Sequence, residues 1–138
     1  MKTAVILAAR KEHDSLIPYP LLSIMNGQCL LERTLNILRD LEYDNIIIVV
    51  GYKAELFDKF KSDKVHIVLN KNYQFTSSMG SLAMAASYIN EDFLLIEGDV
   101  FYERVVLEQL NRTPYDNCLT LTEESGNGLS LIHISEPT

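Results

Sequence analysis

The stretch FLLIEGDVF, residues 93–101, constrains the fold of this chain most. A strand with one wet face alternates apolar and polar residues. An unbroken apolar run of strand length reads instead as a strand covered on both faces, as in parallel sheets flanked by helices. Residues 93–96 therefore read as the middle of such a sheet. The run stops at Gly98 and Asp99, which puts Asp99 at the strand's carboxyl end. In open α/β sheets ligands bind at that edge, because loops and helix N-termini converge there with polar groups that strands cannot supply. Asp99 is thus a candidate metal ligand, although a Gly-Asp pair can equally serve only to turn the chain.

The rest of the chain supplies partners for such a strand. Residues 2–8 form a short β-type run, and a polar stretch over 10–15 leads into IPYPLLSI, whose two prolines favour an extended path. Asn26-Gly27 signals a turn. From Leu30 the pattern becomes helical, with Leu31, Thr34, Leu35, Leu38 and Leu41 on one face and Glu32, Arg33, Asn36 and Arg39 on the other. NIIIVVGY (45–52) is a second buried strand, 53–61 a short helix carrying Leu56, Phe57 and Phe60, and VHIVL (65–69) a third strand. Polar NKNYQFTSS (70–78) reads as a loop. Ser78 is placed to cap a helix over 79–89 that buries Leu82, Ala83, Ala86 and Ile89. A helix over 103–110 and a fifth strand, NCLTLT (117–122), follow the 93–96 strand. Strand and helix alternate, which predicts an α/β fold: a Rossmann-like three-layer α/β/α arrangement around a mostly parallel sheet.

The final ten residues, LSLIHISEPT, break this pattern and resemble a sequencing adapter translated in frame. On that reading residues 1–128 are the N-terminal part of a domain truncated at its C-terminus, expected by itself to be catalytically incomplete and inactive, and 129–138 is an artefactual tail. The other reading is a genuine sixth strand over 129–134. No chemistry is assigned to His133 or Glu136.

At 138 residues the chain suffices for one domain with a core, and 47% hydrophobic with 22% charged residues is a globular composition. A net charge of −7 argues against nucleic acid or an anionic membrane as the main partner, since both need an electropositive face. The apolar run 4–9 is too short for a signal peptide or membrane span, which places the protein in the cytoplasm. Cys29 and Cys118 have no metal-type spacing and are expected as free thiols.

AVILAARKEHDSLIPYPLLSI (4–24) resembles the opening of the sugar-phosphate and choline-phosphate nucleotidyltransferases, whose first strand ends in LAAG and leads through a glycine-rich loop to PK and LL. The resemblance continues through LLERTL, NIIIVVGY, NKNY, SSMGSLAMA and LLIEGDVFYE, in order, over residues 2–122. Within the family the chain is most similar to cytidylyltransferases acting on phosphocholine or 2-aminoethylphosphonate. The resemblance implies transfer of a nucleotidyl group, with CTP favoured, to a small phosphate or phosphonate acceptor. It also implies magnesium held in part by Asp99, the second acidic ligand lying later in the family than this chain extends, so that residues 1–128 are the N-terminal part of a nucleotidyltransferase domain. Nucleotide is expected over Leu7, Ala8, Ala9 and Arg10, and against Ser78, Gly80 and Ser81, where small residues at a helix start allow close approach and the helix dipole favours negative charge. For Ser78, Gly80 and Ser81 the plainer alternative is capping and close packing.

This chain departs from the family in three ways. Arg10-Lys11-Glu12-His13-Asp14 replaces the glycine-rich loop with no glycine at all, fewer residues precede the proline, and Tyr19 stands where the family has the lysine of PK. That lysine contacts phosphate, and a charge pair near 4 Å is worth roughly 4 kcal/mol at an effective dielectric of about 20. Either Arg10 or Lys11 supplies the missing cation as a catalytic group, or the domain binds nucleotide without turnover. On the acceptor side, Tyr52, Tyr73 and Tyr102, with Phe75, sit at or near strand ends, where aromatic faces attract ammonium groups; ordinary loop packing is the alternative. A sugar-nucleotide glycosyltransferase is a third possibility, but Asp99-Val100-Phe101 lacks the second aspartate of a DxD motif.

Overall fold

The computed structural model describes residues 2–12, 15–89 and 92–112, together with the backbone of strands at Cys118–Thr122 and Leu129–His133. The chain divides into two compact units, Met1–Phe101 and Tyr102–Thr138.

In the first unit β1 (Thr3–Ala8) is followed by a 3₁₀ turn at Tyr19–Leu21 and a hairpin of β2 (Ser23–Met25) and β3 (Gln28–Cys29). Then come α1 (Leu30–Asp40), β4 (Asn45–Val50), a 3₁₀ segment Ala54–Phe60, β5 (Val65–Leu69), α2 (Ser78–Met84) and β6 (Phe93–Glu97). Four strands form one parallel sheet in the order β5-β4-β1-β6. The α/β class and the parallel sheet are as the sequence predicts. Every residue of β1, and Ile46–Val50 of β4, is buried, so both faces of these two central strands are covered. On one face Val5, Leu7, Ala9, Ile47 and Val49 pack with Ala85, and Leu82 and Ile89 from the α2 region lie against them.

α1 matches its apolar period: Leu30, Leu31, Thr34, Leu35, Ile37 and Leu38 are buried. Its start is a capping box in which the Cys29 thiol accepts from the Glu32 N–H at 3.5 Å and the Glu32 carboxylate accepts from the Cys29 N–H at 3.4 Å. Burial pushes the Cys29 thiol up from its ordinary range. The turn before it has Asn26 at φ 52° and Gly27 at φ 77°, the left-handed pair that a two-residue hairpin loop requires.

Four expectations need correction. The 17–24 segment is not extended throughout: Pro20 is accepted within a 3₁₀ turn, because proline is tolerated in the first helical positions, where its missing N–H has no partner to lose. Residues 54–60 wind as a 3₁₀ helix that fully buries only Phe57. α2 begins at Ser78 after Ser77, ends at Met84 and hands over to a 3₁₀ turn at Ala86–Tyr88. The buried positions here are Ser81 of α2 and Ala85 just after it, not Ala83 and Ala86, and the Ser81 hydroxyl is drawn inward by a hydrogen bond from Asn70. Finally, among the described residues β6 is not mid-sheet. It is the outer strand beside β1, with Phe93 and Leu95 38% and 41% exposed.

An apolar outer strand of this kind is a template for association. The chain is expected to self-associate as its concentration rises, in a manner suppressed by Phe93→Thr with Leu95→Thr. Static light scattering that finds both proteins monodisperse at every concentration would contradict this.

In the second unit α3 (Arg104–Arg112) is followed by β7 (Cys118–Thr122) and β8 (Leu129–His133), which pair antiparallel in register from Cys118↔His133 to Thr122↔Leu129. Cys118–Thr122 is therefore a strand as expected, but its partner is β8, and it is not a fifth member of the parallel sheet. His13, Asp14 and the side chains of the final ten residues lie outside the described residues.

Candidate active site

β1 and β6 end side by side. Their pairing runs from Thr3↔Phe93 to Leu7↔Glu97, and the next amide, Gly98, donates to the Leu7 carbonyl at 2.8 Å. A Cβ on Gly98 would lie 2.8 Å from that same oxygen, a contact real side chains do not make, so the bend needs glycine. The bend brings Asp99 to the residues leaving β1, where Arg10 Nη1 lies 3.7 Å from Asp99 Oδ2.

A cleft opens at this carboxyl edge. Leu7, Ala8, Ala9 and Arg10 line it, as do Thr76, Ser77, Ser78 and Ser81 from the start of α2. Glu12, Glu97 and Asp99 supply carboxylates, and Pro20 and Tyr73 complete the lining. Of the residues singled out from sequence, the structure thus gathers Leu7, Ala8, Ala9, Arg10, Ser78, Ser81, Tyr73 and Asp99 around one cavity. Tyr73 is held there because its Cβ passes over Gly51, where an added Cβ would come within 2.6 Å of it.

The other expected residues lie elsewhere. Gly80 does not line the cleft; a Cβ there would meet the Thr76 Cβ at 2.7 Å, so its role in the fold is close packing of the 76–80 turn. α2 has seven residues, too short for a strong terminal dipole. Lys11 Nζ sits 5.3 Å from the centroid of the Tyr52 ring, and Lys53 Nζ 5.6 Å from it, so the chain's own ammonium groups already face that ring. The Tyr52 hydroxyl donates to the Ser15 carbonyl at 3.0 Å, and the ring lies 6.3 Å from that of Tyr73. Tyr102 is buried and belongs to the second unit. Phe75 is exposed. Tyr19 is not among the cleft residues; its N–H donates to Glu12 Oε2 at 3.4 Å.

Glu12, Glu97, Thr76 and Ser77 are cleft residues that the sequence reading passes over. Glu12 is the most consequential. It is 8% exposed although it stands in a charged stretch that reads as solvated. Burial pushes its carboxyl above the ordinary range; the N–H groups it accepts from oppose this, and the adjacent Asp99 carboxyl adds to the rise.

For a divalent cation, the donors at this edge are hard carboxylate oxygens, and among the described residues no group of three or more His, Cys, Asp or Glu is arranged to hold a metal alone. That fits an ion bound by one or two carboxylates and completed by substrate phosphates, as magnesium commonly is. It does not fit a permanently caged metal.

Comparison with known proteins agrees with this geometry. Residues 15–132 match the MobA-like NTP transferase domain. The CMP-5′-(3-aminopropyl)phosphonate synthase of Streptomyces rubellomurinus is 31% identical over 121 residues, which is 80% of this chain and 19% of that protein. The choline-phosphate cytidylyltransferase of Haemophilus influenzae is 33% identical over 112 residues, 73% of this chain and 45% of that protein. This chain therefore spans less than half the length of either relative. In fold it resembles the CTP:phosphocholine cytidylyltransferase of Streptococcus pneumoniae, with a TM-score of 0.65 at 20% identity, over 95% of this chain and 65% of that one. With the parallel sheet, the cleft at its carboxyl edge and the match across most of its length, the chain belongs to the MobA-like NTP transferase family and carries a nucleotidyltransferase fold.

Proposed function

We propose that this domain transfers CMP from CTP to a small phosphorylated or phosphonylated amino alcohol, releasing pyrophosphate. The observation that carries the reading is Arg10 beside Asp99 at the mouth of β1 and β6, in a cleft that small residues, Ala8, Ala9, Ser77, Ser78 and Ser81, line in part. An acceptor oxygen forms a bond to the α-phosphorus, the bond to the bridging oxygen breaks, and its electron pair leaves with pyrophosphate. Charge builds on the departing phosphates, so the protein contributes positioning and electrostatic stabilisation. Arg10 supplies the cation that Tyr19 does not, Ala8 and Ala9 leave room for the nucleotide at the end of β1, and Ser78 and Ser81 line the same cavity. Asp99, with Glu12 or Glu97 near it, would hold magnesium, which when bound neutralises phosphate charge. Relatives named for CMP transfer to choline phosphate and an aminoalkylphosphonate support CTP and an amino-bearing acceptor. Tyr73 is the aromatic face in the cleft suited to that ammonium group. A reaction that consumes CTP supports a cytoplasmic location.

A second reading, a nucleotide-binding domain without turnover, is favoured by one specific feature. Three carboxylates, Glu12, Glu97 and Asp99, line the cleft against the one guanidinium of Arg10. Pyrophosphate release by the full-length protein with CTP, magnesium and phosphocholine or 2-aminoethylphosphonate is expected well above that with the other three nucleoside triphosphates. Background release with every combination would sink the transferase reading. Calorimetric binding of CTP in that case, unchanged by Tyr19→Lys, would establish the second.

A further inference from the structure

Asn70 is fully buried at the end of β5 and is not a lining residue of the cleft. Its backbone N–H donates to the Val50 carbonyl at 2.7 Å, which fixes it to the end of β4. Its side chain then spends its hydrogen bonds on the next stretch of chain. Nδ2 donates to the Thr76 hydroxyl at 2.8 Å and to the Ser81 hydroxyl at 3.1 Å, and Oδ1 accepts from the Asn72 N–H at 3.0 Å. The Thr76 hydroxyl in turn donates to the Asn72 carbonyl at 3.1 Å. The amide can face only one way, since a flipped carboxamide would set two donors against each other at Asn72. No other side chain of this size offers two donors toward the hydroxyls and one acceptor toward the loop.

Both hydroxyls that receive these bonds belong to cleft residues, and Ser77 and Ser78 lie between them in the chain. The turn cannot relax independently, because Thr76 packs directly on Gly80. Asn70 thus joins the rigid end of β4 to the whole 76–81 wall, whereas Arg10 and Asp99 are carried by the ends of β1 and β6.

We propose that Asn70 is a positioning residue for the nucleotide: its carboxamide holds the Thr76–Ser81 wall at the distance from Arg10 and Asp99 that a triphosphate requires. This rests on the nucleotidyltransferase reading. A wall displaced by a fraction of an ångström weakens alignment without touching the reacting atoms.

The test is the steady-state kinetics of pyrophosphate release by Asn70→Ala, with magnesium CTP and phosphocholine varied separately. The KM for CTP is expected to rise on the order of tenfold, with the KM for phosphocholine and kcat each within about threefold of wild type on the same ground that the reacting groups are untouched. Hydrogen exchange should quicken over residues 72–81 and not in β1. Thr76→Val, which keeps the volume and removes one hub bond, should shift the KM for CTP in the same direction, and the double variant should be no worse than Asn70→Ala. If Asn70→Ala does not melt cooperatively, Thr76→Val carries the test alone. An unchanged KM for CTP, equal rises in both KM values, or faster exchange throughout the sheet would each overturn the proposal while leaving the transferase reading intact. A wild-type protein that neither turns over nor binds CTP would overturn that reading, and this proposal with it.

Discussion

Replacement of Asp99 by alanine is expected to lower pyrophosphate release by about two to three orders of magnitude, with little change in stability. The two halves of that expectation come from different physics. A divalent ion on a transferring phosphoryl group is worth several kcal/mol of charge stabilisation, and each 1.36 kcal/mol is about tenfold in rate. If Asp99 holds the ion as proposed, removing its carboxylate costs most of that stabilisation. In the fold, by contrast, Asp99 stands in the bend after β6 with a side chain 21% exposed, and its ion pair with Arg10 spans 3.7 Å with the guanidinium largely in water. Pairs of that kind contribute about 0–1 kcal/mol. Activity and melting temperature measured on the same preparation check both halves. Turnover retained within threefold would remove Asp99 from the metal site, and a large fall in melting temperature would make its role structural.

The second expectation separates the two adjacent cations. Arg10→Met should raise the KM for CTP by roughly 5- to 30-fold, while Lys11→Met changes it less than about threefold. A cation 4 Å from phosphate is worth roughly 4 kcal/mol at an effective dielectric of about 20. The Arg10 side chain is 67% exposed, so water screens much of that, leaving about 1–2 kcal/mol, which sets the range. Lys11 is not among the cleft residues, and its ammonium group lies over the Tyr52 ring. Such a contact is worth about 0.5–1 kcal/mol at an exposed site. Equal effects of the two substitutions, or a larger one from Lys11→Met, would assign the phosphate cation differently.

Much of the fold is legible in the sequence because its central strands and first helix are extreme cases. β1 from Ala4 and β4 from Ile46 are apolar at every position, and these positions are buried on both faces. α1 keeps its period through two and a half turns and is capped as its composition allows. β6 misleads for the same reason: an apolar outer strand has the sequence of an inner one, and only the pairing partners distinguish them. Around the cleft, residue type points to Asp99 and to the Arg10-Lys11 pair, but which of the two cations turns inward depends on where Tyr52 sits. Glu12 is hidden because a charged residue among charged neighbours looks solvated, and its burial follows from the Tyr19 N–H it accepts. Asn70 is hidden more deeply. Its four partners come from residues 50, 72, 76 and 81, and only their convergence in space makes a loop asparagine a hub.

The contact between Gly98 and the Leu7 carbonyl sets two neighbouring positions under different demands. At 98 any side chain pushes against backbone that is already paired, so a lineage could abandon catalysis and still be unable to change this residue. At 99 the constraint, under the proposed function, is chemical, and it would lapse as soon as the reaction did. The pair therefore works as a record. A descendant that kept Gly98 and lost Asp99 would have retained the architecture after giving up the chemistry, and the reverse order is closed by the geometry of the two strand ends.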